Sequence, residues 1–149
     1  MDNLFFTDEH IMIRDMVREF ADTEITPVAR DLDEQGEFPT ALVNKMGELG
    51  LMGILIPEEY GGSGLDMVAF ATAIIELARA DASVAITMAA HTSLGSLPIL
   101  MFGSEQQKNT YLPKLATGEM LGAFGLTEPD AGSDAGATKT KAVRDGDEY

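Results

Sequence analysis

A mainly α-helical protein that ends in a short β-hairpin is expected from three features of these 149 residues. Up to residue 120, apolar side chains recur every three or four positions, which is the period of a helix with one buried face. Candidate helix caps precede several of these stretches. Beyond residue 120, short alternating runs are separated by glycine-rich turns, which is typical of strands. We therefore predict a helical domain, residues 1–120, and the start of an incomplete β-domain, residues 121–149.

Thr7 is a candidate N-cap for the first helix, because its hydroxyl can accept a hydrogen bond from a free backbone N–H. Pro27 is expected to bend or end this helix. We interpret the acidic residues 30–36 as its frayed end. The apolar positions between them have the spacing of one helix face: Ile13, Met16, Val17, Phe20 and Ala21.

A second helix is expected to start near Pro39, since proline is favourable in a first turn, and to end at Gly50 and Gly53. Residues 54–57 form a short apolar run, which favours a buried connector over a strand. The three glycines within residues 59–64 predict a loop. The apolar positions of the second helix are Leu42, Val43, Met46 and Leu49.

Asp66 is expected to cap a strongly apolar third helix. Either Asp81 or Ser83 begins a fourth, which runs to about Leu94. Because this fourth helix is apolar on most of its faces, we predict that it is central and buried.

Ser104 and Gln107 have the spacing of a capping box and open the last predicted helix. Pro113 is expected in its frayed final turn, and Gly118 lies beyond its end. After residue 120 we predict a strand at 123–127, a loop at 128–136 and a second strand at 138–144. Asp145 and Gly146 are typical of a hairpin turn. The returning strand begins at residue 147, so we expect this chain to be part of a longer protein.

Composition excludes several classes of protein. The chain has 10 basic and 25 acidic residues, a net charge of −15, which disfavours nucleic-acid binding. The absence of cysteine excludes disulfide scaffolds and thiol nucleophiles. Residues 1–6 lack a secretory signal pattern. The most apolar run, residues 82–102, is interrupted by His91, Gly95 and Pro98, so we predict no membrane span and a cytoplasmic location.

The only histidines are His10 and His91, and neither has a carboxylate at metal-ligand spacing, so no metal site is predicted. We expect His10 on a solvated helix face. For His91, a packed and hydrogen-bonded core histidine is the favoured interpretation.

Residues 124–136 combine a predicted strand with a glycine-rich loop that carries the hydroxyls of Thr127 and Ser133. Such a loop can present consecutive backbone N–H groups to a pyrophosphate. A tight turn between domains is the alternative, and residue chemistry alone favours that turn.

Residues 121–134, LGAFGLTEPDAGSD, resemble the signature of the acyl-CoA dehydrogenase family. The PEEYGG run at 57–62 resembles an early loop of that family. The GSEQQK run at 103–108, followed by YLP at 111–113, resembles the segment that precedes its flavin strand. Asp130 stands where many members have glycine, in a loop that varies.

The resemblance implies a helical N-terminal domain of the acyl-CoA dehydrogenase type, followed by the first hairpin of a β-domain. It implies an FAD-dependent enzyme of fatty acid β-oxidation that converts acyl-CoA to trans-2-enoyl-CoA. Reduced flavin in the family passes its electrons to an electron-transfer flavoprotein. Family members are usually homotetramers. An organelle matrix is the alternative location, if a transit peptide has been removed.

Matching the motifs assigns Phe124, Leu126 and Thr127 to positions beside the flavin ring. Ser133 corresponds to a position near the flavin pyrophosphate and the thioester arm of CoA. The catalytic base of the family lies beyond Tyr149, so we predict no catalytic residue in this chain and no activity for it alone. The resemblance also implies that the acyl tail lies against the fourth helix, at Thr87, Ala90, His91 and Leu94. The apolar character of this helix is equally consistent with an ordinary core.

Two alternatives remain open. One is a helical binding or assembly module that kept the family fold without catalysis. The other is an acyl-CoA oxidase-type relative, which would release peroxide instead of passing electrons to a flavoprotein.

Overall fold

A computed structural model describes residues 6–149, and the expected mainly helical fold is confirmed. The predicted absence of a secretory signal concerns residues 1–5, which lie outside the described residues. A π-helical turn at Ala21–Ile25 extends the first helix, α1, and a second at His91–Ser96 joins α5 to α6. Short 3₁₀ turns occur at Glu58–Tyr60 and Ala135–Ala137. The α-helices are α1 (Asp8–Phe20), α2 (Ala29–Gln35), α3 (Thr40–Glu48), α4 (Met67–Ala80), α5 (Ala82–Ala90), α6 (Leu97–Phe102) and α7 (Glu105–Ala116).

The start of α1 is capped as predicted, but the position of His10 was predicted wrongly. The Thr7 hydroxyl accepts a hydrogen bond from the His10 backbone N–H at 3.3 Å, and the Thr7 N–H donates to His10 Nδ1 at 3.1 Å. His10 is only 5% exposed, and its Nε2 lies 3.0 Å from an oxygen of Asp66, the N-cap of α4. Because α1 packs against α4, the ring is enclosed between the two helix starts.

Residues 30–36 are not a frayed helix end. Pro27 follows the first π-helical turn, and the chain then restarts as α2, which ends at Gly36 with φ +64°. An exposed Arg30–Glu34 ion pair at 2.8 Å, one helical turn apart, supports this short helix.

Two hydrophobic clusters hold the helices together. The smaller cluster joins the connector after α3 to α7 through Ile56, Tyr60, Leu112, Leu115 and Ala116. Ile54 and Ile56 are both buried, so the predicted buried connector is confirmed. The larger cluster unites α1, α3, α4 and α5 with the first π-helical turn, and its largest buried members include Val17, Phe20, Ile25, Met46, Met52, Leu77 and Met88.

The helical run that begins at α5 is longer than predicted. Asp81 caps it, accepting from the N–H groups of Ser83 and Val84, and Ala82–Phe102 is continuous. His91 and Gly95 lie within the π-helical turn, and Pro98 follows it in the first turn of α6. This run has the length and composition of a membrane span, a test that core helices of soluble proteins also meet. The absence of a membrane span therefore stays a prediction.

Only one face of that run is buried, so the predicted central position is wrong in part. Val84, Ala85 and Met88 face the larger cluster. On the other side Ile86 is 63% exposed, and Met101 and Phe102 are exposed as well. An apolar helix is buried only where another element covers it, and within residues 6–149 no element covers this side.

The predicted capping box of α7 is confirmed. Ser104 N–H donates to Gln107 Oε1 at 2.8 Å, and Gln107 N–H donates to Ser104 Oγ at 3.3 Å. Pro113 lies in the last turn of α7.

The two strands predicted after residue 120 do not form. Within the described residues this part has only two isolated antiparallel bridges, Glu128–Ala131 and Asp145–Glu148. A strand requires a neighbouring backbone, and neither 123–127 nor 138–144 has one within residues 6–149. The turn at Asp145 does form, with Gly146 at φ +63°.

A buried carboxylate ties α1 to α4. Glu76 is 5% exposed, and its two oxygens accept hydrogen bonds from Arg18 at 2.7 and 3.0 Å. Arg79 donates to the same carboxylate at 3.3 Å and to Asp22 at 2.6 Å. The hydrogen bond from Arg18 is the main reason that the pKa of Glu76 is lowered.

We expect Glu76→Gln to lower the free energy of unfolding by about 2 kcal/mol at pH 7, because charge-assisted hydrogen bonds in a buried position are lost. Urea denaturation of the full-length protein that carries this segment measures the change. The lowered pKa means that the carboxylate stabilises the fold above pH 4.5 and loses this effect as the pH falls further, so the difference should shrink below pH 4.5. Glu34→Gln, in an exposed pair, is the control and should change stability little. An equal loss in both variants would contradict the prediction.

Candidate functional site

The second π-helical turn is where the segment that follows α7 crosses the α5–α6 run. A Cβ atom placed on Gly95 would lie 2.5 Å from Gly122 Cα, and one placed on Gly122 would lie 2.6 Å from Gly95 Cα. Real Cβ atoms do not come so close, so only glycine fits on either side. The two backbones are therefore in direct contact at this crossing.

His91 links three elements at the same crossing. Its Nε2 lies 3.0 Å from the Leu115 carbonyl oxygen of α7, and its Nδ1 accepts a hydrogen bond from the Gly122 N–H at 3.0 Å. A carbonyl can only accept and an N–H can only donate, so the ring is neutral and carries its proton on Nε2. The side chain is 1% exposed. The favoured interpretation of His91 as a packed and hydrogen-bonded histidine is confirmed.

The hydrogen bonds of His91 also determine how it titrates. Burial lowers the pKa of its imidazole, because the charged form would lose its hydration. Protonation would place a second N–H at Nδ1, directly opposite the Gly122 N–H. The folded protein therefore holds the ring in its neutral form.

The π-helical turn itself is closed by a side chain. The Ser96 hydroxyl donates to the His91 carbonyl at 3.1 Å, five residues back along the chain. Widened turns of this kind are frequent at functional sites, since the extra residue changes which side chains face a neighbouring element. Here the turn brings Gly95 against Gly122.

Residues 123–127, which follow Gly122, are the predicted flavin segment. Their backbone is irregular and they are exposed. Phe124 is 56% exposed and Leu126 is also exposed, so both can provide an apolar surface for a planar ring. No backbone–backbone hydrogen bond within residues 6–149 involves 123–127. The segment therefore has unused N–H groups and the Thr127 hydroxyl, and donors of this kind would suit the edge of a heterocycle such as an isoalloxazine.

Thr127 and Ser133 lie at the two ends of a tight turn. Glu128 and Ala131 exchange backbone hydrogen bonds at 2.8 and 3.2 Å, which folds the loop back. A Cβ atom on Gly132 would be 3.9 Å from the Thr127 methyl group, so the residue before Ser133 is beside Thr127. Their roles toward flavin and CoA stay predictions.

Glu128 organises this loop, and sequence analysis assigned it no role. Its carboxylate accepts the backbone N–H groups of Lys139 and Thr140, at 2.7 and 3.1 Å. Its pKa is lowered mainly by a hydrogen bond from the Thr140 side chain and further by these backbone bonds. Lys139 also pairs with Asp130 at 3.0 Å. The Glu128 carboxylate therefore connects the loop to the start of residues 138–144.

The predicted acyl wall lies along α5 and the π-helical turn. Thr87 and Ala90 are partly exposed and Leu94 is exposed, whereas His91 is enclosed. The Thr87 hydroxyl donates to the Ser83 carbonyl at 2.8 Å, which leaves its methyl group to contact a ligand. His91 could reach an acyl chain only if the helix around it moved, so its predicted contact is the least supported of the four.

Sequence analysis also missed the pairing of Gly95 with Gly122. The one local indication was two glycines in otherwise ordered stretches, and such glycines often mark a close backbone approach. Which glycine meets which could not be obtained from spacing alone.

Almost the whole chain is similar to acyl-CoA dehydrogenases. Residues 7–119 match the family described as acyl-CoA dehydrogenase, N-terminal domain. The probable acyl-CoA dehydrogenase YngJ of Bacillus subtilis is 54% identical over 147 residues, which cover 99% of this chain and 39% of that protein. The chain thus spans about two-fifths of the length of this relative.

Two solved structures superpose closely. One, described as the electron transferring flavoprotein of Acidaminococcus fermentans, has a TM-score of 0.93 at 46% identity, over 97% of this chain and 38% of that chain. The other, an acyl-CoA dehydrogenase from Bacillus anthracis complexed with FAD, has a TM-score of 0.84 at 49% identity, over 91% of this chain and 23% of that one.

The lowered pKa of His91 predicts a pH-dependent contribution to stability. In the unfolded chain this histidine binds a proton below pH 6.5, whereas in the folded protein it does so only at lower pH. The contribution of neutral His91 to the free energy of unfolding is therefore complete above pH 6.5 and falls as the pH decreases. We expect the difference in unfolding free energy between the wild type and His91→Gln to shrink between pH 8 and 5.5. Urea denaturation of both full-length proteins measures it. A difference that is constant over this range would contradict the assignment.

Loss of the Glu128 carboxylate should loosen residues 138–144, because it removes the bonds to Lys139 and Thr140. We expect Glu128→Ala to accelerate tryptic cleavage after Lys139 and Lys141 by about fivefold, followed by mass spectrometry. Glu119→Ala is the control, since that carboxylate contacts only Lys114, at 3.8 Å. Equal cleavage rates in the two variants would remove Glu128 from this role.

Proposed function

This chain belongs to the acyl-CoA dehydrogenase family, and we propose that it is the N-terminal part of an FAD-dependent acyl-CoA dehydrogenase. The enzyme oxidises the Cα–Cβ bond of a fatty acyl-CoA to trans-2-enoyl-CoA, in fatty acid β-oxidation. The observation that carries the proposal is the exposed signature segment 123–127, held at Gly122 against the π-helical turn.

Residues 1–120 form its helical domain, and residues 121–149 are the start of its middle β-domain. The family match over residues 7–119 supports this division. The turn at Asp145 then belongs to a hairpin whose pairing partners come from the remainder of the β-domain. The complete protein is a homo-oligomer, of the tetrameric type usual in the family.

FAD is the cofactor, and its ring lies against residues 123–127. Phe124 and Leu126 provide apolar contact, and the Thr127 hydroxyl donates a hydrogen bond to the ring edge. Ser133 is placed near the pyrophosphate and the thioester arm of CoA. When bound, FAD accepts the β-hydrogen of the acyl group together with its electron pair. The FAD complex of the similar Bacillus anthracis enzyme supports this choice of cofactor.

The acyl chain lies along α5, against the wall of Thr87, Ala90 and Leu94, and His91 is enclosed behind this wall. The first two present a methyl group each, and Leu94 adds a larger apolar side chain, so the wall favours a hydrocarbon. This arrangement excludes water from one side of the carbon atoms that react. Desolvation there strengthens the charge interactions that develop when the α-proton is removed.

The base that removes the α-proton is a glutamate supplied from beyond Tyr149, and no glutamate of this chain is assigned to it. Residues 1–149 alone are therefore inactive. They also offer only one wall to the flavin, which predicts weak binding of FAD by this segment in isolation.

The physiological electron acceptor is an electron-transfer flavoprotein. A structure described as the electron transferring flavoprotein of Acidaminococcus fermentans includes a chain similar to this one, which supports this choice. The enzyme acts in the cytoplasm, as suits its similarity to bacterial proteins, with an organelle matrix as the alternative.

The decisive experiment uses the full-length protein that carries this segment. We expect it to copurify with FAD and to convert fatty acyl-CoA to the trans-2-enoyl product, detected by mass spectrometry, when electron-transfer flavoprotein is the acceptor. Stoichiometric peroxide in air would instead indicate an acyl-CoA oxidase. A protein that holds no flavin and binds no acyl-CoA would support the binding or assembly module.

Thr127→Ala in the full-length enzyme should weaken FAD binding or slow turnover by about tenfold, the usual effect of losing one hydrogen bond to a polar ligand. Flavin fluorescence titration and steady-state kinetics measure the two effects. Thr138→Ala, outside the proposed site, is the control. Wild-type values for Thr127→Ala would remove this residue from the site.

A further inference from the structure

The two halves of the proposed site meet at a single backbone position, Gly122. Phe124 and Thr127, on the flavin side, follow it by two and five residues. On the acyl side, Ala90 directly precedes His91, which accepts the Gly122 N–H. Any movement of Gly122 along α5 therefore changes the separation between the flavin segment and the acyl wall.

Two independent contacts hold Gly122. The hydrogen bond to His91 Nδ1 fixes its orientation, and the backbone contact with Gly95 fixes its distance from the helix. A Cβ atom on Gly122 would also lie 3.2 Å from the His91 carbonyl oxygen, so the residue is enclosed on the side of the helix. Beyond it, residues 123–127 make no backbone–backbone hydrogen bond within the described part of the chain.

His91 is itself held by α7. Its Nε2–H donates to the Leu115 carbonyl, in the last turn of α7, and Leu115 is buried in the smaller hydrophobic cluster. The position of the ring, and with it the position of Gly122, therefore depends on where α7 lies in the helical core. An imidazole is suited to this, because its Nδ1 accepts the Gly122 N–H while its Nε2–H faces the Leu115 carbonyl, with the Ser96 hydroxyl 3.5 Å from Nε2.

We infer that His91 is a positioning residue for the proposed dehydrogenation: through Gly122 it sets the separation between the flavin segment and the acyl wall. This inference rests on the proposed function. Transfer of hydrogen from the acyl chain to flavin is sensitive to the separation of the reacting atoms, and a misplacement of about 1 Å can cost roughly 100-fold in rate. Loss of the contact with Gly122 should therefore affect kcat more than KM.

Two amide variants of the full-length protein each keep one of the two hydrogen bonds of His91 and lose the other. In His91→Asn the amide oxygen lies at the δ position and can still accept the Gly122 N–H. In His91→Gln the amide nitrogen lies at the ε position and can still donate to Leu115, but the bond to Gly122 is lost. We expect kcat to stay within about threefold of the wild type in His91→Asn and to fall 10- to 100-fold in His91→Gln, with KM changed little.

His10→Gln is the matched control, because His10 is the other buried histidine and has both ring nitrogens in hydrogen bonds. It should lower the Tm without changing kcat. Equal kcat values for His91→Asn and His91→Gln, with a lowered Tm in both, would show a structural role alone and overturn the inference.

Amide hydrogen exchange provides a readout that does not depend on activity. We expect faster exchange at the Gly122 amide in His91→Gln than in His91→Asn. Equal exchange in the two variants would overturn the positioning role even in an active enzyme. A wild-type protein that does not oxidise acyl-CoA would refute the proposed function, while the exchange result would still decide whether His91 holds Gly122. If His91→Gln does not fold, His91→Asn still decides the matter against the wild type. Faster exchange at its Gly122 amide together with a loss of kcat of more than threefold would overturn the inference, and wild-type exchange with near wild-type kcat would support it.

Discussion

Two glycines in backbone contact, Gly95 and Gly122, determine how the signature segment leaves the helical domain. The contact is possible only because neither residue has a Cβ atom and because a π-helical turn presents Gly95 to the crossing. His91 adds a hydrogen bond at the same point and connects it to Leu115. Close packing and a directional bond thus act on one residue, so the position of the following segment depends on the helical core.

The helical core is in turn held by polar groups as well as by apolar packing. Glu76 joins α4 to α1 through Arg18, and His10 joins the starts of the same two helices through Asp66. Both are enclosed polar side chains whose partners lie on another helix. Such pairs constrain how two helices can slide past one another, which apolar contacts alone do less strictly. The relative position of α1 and α4 is therefore constrained, and α5 packs against α4.

Much of this fold could be predicted from local patterns. Thr7, Asp66 and Ser104 cap helices because a short oxygen-bearing side chain before an apolar stretch meets the free N–H groups of a first turn. The strands expected after residue 120 were wrong for the opposite reason. An alternating pattern indicates a backbone that suits a sheet, but a strand forms only where a second backbone is available. Residues 30–36 were also misjudged, since an acidic stretch between Pro27 and a glycine contains a helix of its own.

For the candidate site, the resemblance of the motifs to the acyl-CoA dehydrogenase family indicated Thr127, Ser133 and their neighbours as candidate residues. It could not supply what holds them in place. The contacts of His91 with Gly122 and of His10 with Asp66 join residues 31 and 56 positions apart. Local spacing carries no information about such pairs, because they exist only once helices have packed. The tertiary structure alone therefore decided that His10 is enclosed as well as His91, which glycines touch and where the signature segment begins.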